Sequence, residues 1–241
     1  MKKGLIGVQM STIAPNKMPK FDAYESMAKL ADIGYKCIEI SQVPMNEENL
    51  KGFRRAIDEL GLNVAATSAL TAANAMMPGC VMSNPDEMKK MIEDAKYLDC
   101  DMFRIGAMPL EARFSLQAAV DFAKQADDYA CQLKEHGIDL YYHNHHFEFV
   151  KEDESDEQIV YDRFLERCPT WHFILDTYWV EFAGRSAIEY IKKVGGSRLP
   201  NIHFKDMAND ENRSTCPCGD GTLDFKAIFE VCRELGVENV L

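Results

Sequence analysis

The stretch 134-KEHGIDLYYH-143 reads as the end of a helix, a glycine, and then an apolar strand. Glycine just past a helix adopts the left-handed conformation that closes it, and the chain then turns into the next element. The same phrase returns at 31-ADIGYKCIEI-40, 58-DELGLNVAAT-67 and 233-RELGVENVL-241, with a looser copy at 192-KKVGGSRLPNIHFK-205. Each copy predicts one helix-to-strand junction. Together they predict alternating helices and strands, the pattern of a parallel sheet covered by its own crossover helices.

Working outward from these junctions, short apolar strands are expected at about 4–10, 36–41, 62–67, 101–105, 138–145, 171–176, 200–205 and 238–241. Helices are expected at about 21–33, 47–60, 84–98, 113–136, 156–166, 186–194 and 224–235. The clearest is 84-NPDEMKKMIEDAKYL-98, with Asn84 as N-cap, Pro85 at the first helical position and an apolar stripe of Met88, Met91, Ile92, Ala95 and Leu98. Seven strand-helix units and an eighth strand make an α/β chain of the (β/α)8 TIM-barrel class, one domain over residues 1–241 that ends at strand eight and lacks the last helix. A doubly wound open sheet competes, but 9-QMSTIAPNK-17 stands where its glycine-rich phosphate loop would follow the first strand. Because the sequence stops at Leu241, three outcomes are expected at strand eight: a truncated sequence, an open barrel, or closure by a partner chain.

Hydrophobic residues at 46% and charged residues at 27% suit a globular protein of 241 residues. A net charge of −12 without a basic run argues against a nucleic-acid partner. The start 1-MKKGLIGVQM-10 is too short and is broken by Gln9, against a signal peptide or a membrane span. The eight cysteines are scattered, which suits free thiols in a reducing cytoplasm. Only Cys216 and Cys218, in 214-STCPCGDG-221, lie close in sequence, and their spacing is neither that of zinc sites nor that of redox pairs. The expectation is a cytoplasmic protein with no nucleic-acid partner and no membrane; homo-oligomerisation is left open.

In such a barrel the active site lies at the C-terminal strand ends. There the sequence puts Glu39 on strand two, Arg104 on strand four, and His143, Asn144, His145 and then Glu148 on strand five. Asp176 falls on strand six, and His203 on strand seven with Lys205 and Asp206 next. Unpaired carboxylates and imidazoles are costly at buried strand ends, so these groups satisfy one another or a metal. Alternation on strand five puts Tyr141, His143 and His145 on one face. Asp176 and His203, joined by a third and a fourth ligand, make a mixed O/N site suited to Mn, Mg, Co, Zn or Fe(II). Glu39 either binds substrate or only forms a salt bridge, and Arg104 either binds a substrate oxygen or pairs with an acidic neighbour. For the strand-five ligand, parity favours the histidines and hard-metal preference favours Glu148. His136 at a helix end and His172 near a strand start read as structural. His146, of opposite parity, packs or is solvated.

Six stretches, 5-LIGVQMST-12, 34-GYKCIEIS-41, 142-YHNHHFEF-149, 175-LDTYWV-180, 202-IHFKDM-207 and 219-GDGTLDF-225, together resemble the sugar phosphate isomerase/epimerase family with the xylose isomerase-like barrel, in its HNH-x-x-EF subgroup. The resemblance implies a divalent metal held by acidic and histidine residues of strands five to eight, and proton movement next to a carbonyl on a sugar or polyol. It implies Asp176 and His203 as ligands. In many members a glutamate stands where His143 stands here, and the family's strand-eight glutamate would fall just past Leu241. The expected roles are His145, Glu148, Asp176 and His203 on the metal. Glu148, His143 and Lys205 are expected in catalysis, and Glu39, Arg104 and Trp179 against substrate, the indole as an apolar platform. Isomerisation, epimerisation, and dehydration or hydration of a keto-sugar share the first step. A non-catalytic sugar-binding barrel is the alternative, and an abasic-site endonuclease, disfavoured by charge, is a further one.

Overall fold

A computed structural model describes residues 5–13, 21–68, 85–149 and 159–241. Strand β1 (Leu5–Gln9) is followed by helix α1 (Ala23–Ile33), β2 (Cys37–Ile40), α2 (Glu47–Leu60), β3 (Asn63–Ser68), α3 (Pro85–Tyr97), β4 (Met102–Ile105) and α4 (Leu116–Glu135). The chain continues through β5 (Asp139–His143), α5 (Val160–Arg167), β6 (His172–Asp176), the short α6 (Thr177–Phe182), α7 (Ala187–Val194) and β7 (Asn201–His203). An antiparallel hairpin of β8 (Asp206–Met207) and β9 (Thr215–Cys216), then α8 (Phe225–Leu235) and β10 (Asn239–Val240), complete it.

The repeated glycines do what the sequence asks of them. Gly34, Gly61, Gly137 and Gly236 all have positive φ, at 114°, 65°, 75° and 76°. Asp22, Asn46 and Ser115 accept N-cap hydrogen bonds from the backbone N–H of Glu25, Asn49 and Ala118, so α1, α2 and α4 each start on a satisfied cap. The cap expected at Asn84 lies outside the described residues, but the stripe it was to precede packs as expected: Ile92, Ala95 and Leu98 are buried, and Met88 and Met91 lie against the core.

Eight parallel strands close in the order β1-β10-β7-β6-β5-β4-β3-β2. The expectation of an opening at strand eight, or of closure by a partner chain, is corrected here. β10 pairs with β1 through Leu5↔Asn239 and Ile6↔Val240, and with β7 through Asn239↔Asn201 and Val240↔Ile202. Two residues suffice because neighbouring backbone extends the ladder: Leu5 N–H donates to Glu238 O (2.8 Å), Leu241 N–H to Ile202 O (2.9 Å) and Phe204 N–H to Leu241 O (2.8 Å). Gly7 fits between β2 and the closing end of the chain only as glycine, since a Cβ there would stand 2.3 Å from Cys37 Sγ on β2 and 2.6 Å from Leu241 Cδ2.

Strand alternation sorts the side chains into two compartments. Outward residues such as Tyr142, Phe173 and Ile202 join the large core under the helices, while Ala66, Tyr141 and Ile174 form a separate small cluster inside the barrel. One turn further along the same inward faces, at the C-terminal ends, the barrel changes from apolar to polar.

Strand five is shorter than its sequence suggests. The pairing of β5 with β6 ends at His143↔Ile174, where the Asn144 side chain takes over: its Oδ1 accepts the Asp176 N–H (2.9 Å) and its Nδ2 donates to the Asp176 carbonyl (3.4 Å). A 3₁₀ turn, Phe147–Phe149, follows. Strand parity therefore stops at His143 and says nothing about where His145 or Glu148 point.

Candidate active site

His143, Asp176 and His203, all buried, bring their side chains together at the ends of β5, β6 and β7, with one ligand atom from each within 4.8 Å of the others. Their neighbours decide which atoms are free. His143 Nδ1 lies 3.1 Å from the Gly106 carbonyl, which only accepts, so Nδ1 carries the proton and Nε2 is bare, 3.4 Å from Asp176 Oδ2. Burial, then the positive charge of Arg104, holds the His143 pKa well below its ordinary value and keeps the ring neutral.

His203 is built as a mirror of this. Its Nε2 stands 2.8 Å from Glu39 Oε2, leaving Nδ1 bare and 4.0 Å from Asp176 Oδ2. Glu39 is fully buried, which alone would raise its pKa, but Arg104, with Nε 2.9 Å from Glu39 Oε1, and His203 pull it down to about 2. It is therefore an ionised acceptor that fixes the His203 tautomer from behind, as carboxylates do for metal-bound histidines.

Asp176 divides its two oxygens. Oδ1 caps α6 by accepting the Trp179 N–H (3.3 Å), and Oδ2 faces the two bare imidazole nitrogens. Burial raises its pKa despite His203 and Lys205 nearby. One carboxylate oxygen and two nitrogen lone pairs pointed at one another are unfavourable on their own and favourable around a divalent cation, so the residues present fit the metal the sequence suggests. Two imidazoles and one carboxylate suit Mn, Co, Zn or Fe(II) better than Mg, which prefers oxygen.

Residues 27–241 match the family described as the xylose isomerase-like TIM barrel. The chain belongs to that family. No curated protein matches it by sequence. Among solved structures it is similar to a sugar phosphate isomerase/epimerase from Parabacteroides distasonis ATCC 8503 (TM-score 0.70, 20% identity, covering 98% of this chain and 85% of that one). It is similar too to an AP endonuclease, family 2, from Brucella melitensis (0.70, 16%, 100% and 92%). A probable 3-DHS dehydratase from Bacillus anthracis is a third (0.70, 11%, 100% and 92%). At these identities the likeness is one of fold.

Within this xylose isomerase-like barrel the other expected site residues separate into two groups. Glu39 and Arg104 reach the cluster but are paired with each other there. Lys205, half-buried, holds Nζ 4.5 Å from the Trp179 ring centroid and 4.6 Å from that of Tyr178, and burial lowers its pKa against the pull of Asp176. His145 is not among the converging ligand atoms. Its ring stacks on Phe147 (5.2 Å, 8° between planes), lies 5.3 Å from Trp179, and meets His143 edge-on at 4.9 Å. Burial, then His143 and Arg104, push its pKa down to about 2.

Glu148 is not brought to the cluster at all. It follows the turn outward, behind β5, where Tyr142 Oη donates to its Oε1 (2.5 Å) and His145 N–H to its Oε2 (2.8 Å). Burial raises its pKa to about 7 against those two hydrogen bonds. His146 packs on Trp179 and Phe182, His172 stacks on Tyr141, and His136 caps the end of α4, as expected for structural residues. Asp206 lies beyond the site and gathers the N–H groups of Met207, Gly219, Gly221 and Leu223.

Two residues to which the sequence reading gave no role organise the centre. Asn144 clamps the Asp176 backbone, as above. Thr177 Oγ1 contacts the His203 and Lys205 carbonyls (3.2 and 2.9 Å) and accepts the Lys205 N–H (3.0 Å), locking β7 to β6. Thr177 carried a readable signal, since an Asp-Thr pair after an apolar strand is a helix-cap signature.

Proposed function

We propose that this barrel is a divalent-metal-dependent isomerase or epimerase that takes a proton from the carbon next to a carbonyl on a sugar or polyol. The observation that carries it is the convergence of His143 Nε2, Asp176 Oδ2 and His203 Nδ1, each with its other polar atom occupied. His143, Asp176 and His203 would hold a divalent cation, which would supply Lewis-acid charge to polarise the substrate. The protein's own groups then divide the remaining work. Lys205 holds a positive charge beside the cluster for the substrate oxygen, and the Trp179 ring offers an apolar face for the sugar. His145, kept neutral by burial and packed against His143, Phe147 and Trp179, lines the wall of the site beside them. Glu39 and Arg104 hold His203 in its tautomer. Lyase chemistry on a keto-sugar begins with the same step, in keeping with the range of activities among similar folds.

The test is solvent deuterium exchange into a panel of keto-sugars and polyols with Mn or Co supplied, paired with metal analysis of the purified protein. Exchange in at least one substrate, lost in Asp176→Asn, is the expected result. No stoichiometric metal uptake and no exchange in any candidate would overturn the reading.

A further inference from the structure

Glu148 and Tyr142 have no place in the chemistry above, yet both are fully buried and bonded to each other. Tyr142 Oη accepts the Met108 N–H (3.1 Å) and donates to Glu148 Oε1, while Glu148 Oε2 accepts the His145 N–H (2.8 Å). The two ends of this chain of hydrogen bonds are meaningful. Met108 lies two residues after Gly106, whose carbonyl holds His143 Nδ1. His145 lies two residues after His143 itself. The pair thus spans, on the outside of β5, the two loops that frame the His143 imidazole on the inside.

We infer that Tyr142 and Glu148 form a positioning bracket behind β5, which fixes the loops after β4 and β5 relative to one another and so holds the His143 ring with Nδ1 on Gly106 and Nε2 bare toward Asp176. The inference rests on the reading of His143 as a ligand given above. The surroundings support it. The bracket sits among Phe122, Phe164 and Trp171, whose rings lie 6.2, 5.1 and 5.4 Å from that of Tyr142. In such a place an apolar pair of similar volume would pack without the cost of burying a carboxyl. What an apolar pair could not do is bind two backbone N–H groups from two different loops at set distances. Arg113 adds to the same brace, donating to the Met108 carbonyl (3.3 Å) with its guanidinium over Phe147.

These are positioning residues, and the test reads the ring they position. In metal-free protein, long-range proton–nitrogen NMR of the His143 imidazole, assigned by loss of the signal in His143→Gln, reports its tautomer. The wild type is expected to show a single Nδ1–H form. Tyr142→Phe removes one hydroxyl, and Glu148→Gln can satisfy only one of its two neighbours. Each is expected to mix in the Nε2–H form and to weaken Co(II) binding by about tenfold, the scale of outer-shell effects on metal sites. Phe122→Leu, which loosens the packing beside Tyr142 but removes none of the bracket's hydrogen bonds, is expected to lower the melting temperature and leave tautomer and Co(II) affinity unchanged. If Tyr142→Phe and Glu148→Gln melt cooperatively and keep the wild-type tautomer and affinity, or if Phe122→Leu shifts both readouts equally, the bracket is refuted. If the wild type binds no Co(II), the metal reading fails, and the tautomer alone then decides the bracket.

Discussion

Glu148 makes a prediction about stability that is separate from metal binding. Its carboxyl goes from an ordinary value of 4.5 to about 7 in the folded protein. A raised folded-state pKa means that the folded protein holds this proton more tightly than the unfolded chain does. The stability it confers is fully present below pH 4.5 and is lost as pH rises through 7. At 1.36 kcal/mol per pKa unit the loss is about 3 kcal/mol, a large part of a typical domain's margin. His143 and His145, kept neutral by burial, act with the opposite sign in the acid part of the same window, because the unfolded chain protonates them and the folded protein does not. The wild-type curve alone is therefore a mixture. The difference between wild type and Glu148→Gln isolates the carboxyl, since the histidines are common to both. Urea unfolding of the metal-free proteins at a series of pH values is the assay. The amide variant should gain on the wild type by about 3 kcal/mol between pH 4.5 and 8, with no further change above that. A constant offset from the altered hydrogen bonds is compatible with the reasoning. Parallel curves across the whole range are not, and would show that Glu148 is not the buried, proton-holding carboxyl described here.

Three further outcomes follow from the same geometry. Asp176→Asn should raise the melting temperature of the metal-free protein, because burial already disfavours the charge there; it should also abolish the stabilisation expected when Mn or Co is added to the wild type, and scanning calorimetry with and without metal reads both. Glu39→Gln leaves the Arg104 guanidinium buried without its carboxylate and should cost about 3–5 kcal/mol in urea unfolding at neutral pH. Because the Glu39 pKa is depressed to about 2, this penalty should shrink as pH falls from 4.5 toward 2. Gly7→Ala puts a Cβ 2.3 Å from Cys37 Sγ on β2 and 2.6 Å from Leu241 Cδ2 beside β10, and overpacking there should cost about 1–3 kcal/mol by the same measurement; an unchanged unfolding midpoint would show that the barrel is looser around β1 than described.

Legibility in the sequence followed the physics of each element. Where a local signal and a tertiary need coincide, as at Gly34, Gly61, Gly137 and Gly236, the helix-to-strand junctions could be placed to within a residue or two. Helix α6 and the β8–β9 hairpin were missed because each is a few residues long, below the length at which apolar periodicity carries information. Closure by β10 was misjudged for a different reason: two paired residues look like a fragment in sequence, and only the flanking backbone bonds of Glu238 and Leu241 make them a barrel strand.

The site divides along the same line. His143, Asp176 and His203 were legible because each ends a strand on an inward position, so parity alone carries the side chain to the barrel axis. Parity does not reach His145 and Glu148, which lie beyond the last ladder pair at His143↔Ile174. Past that point direction is set by what the turn can bond to, and the Asn144 side chain and the 3₁₀ turn send Glu148 out behind the strand, to Tyr142. The two carboxylates nearest to the histidines in role are thus separated by environment. Asp176, capped by the Trp179 N–H on one oxygen, keeps its other oxygen open toward the two bare nitrogens, whereas Glu148 has both oxygens engaged and none to offer. A metal ligand must keep a lone pair free at the cost of its own burial, and of these two only Asp176 does.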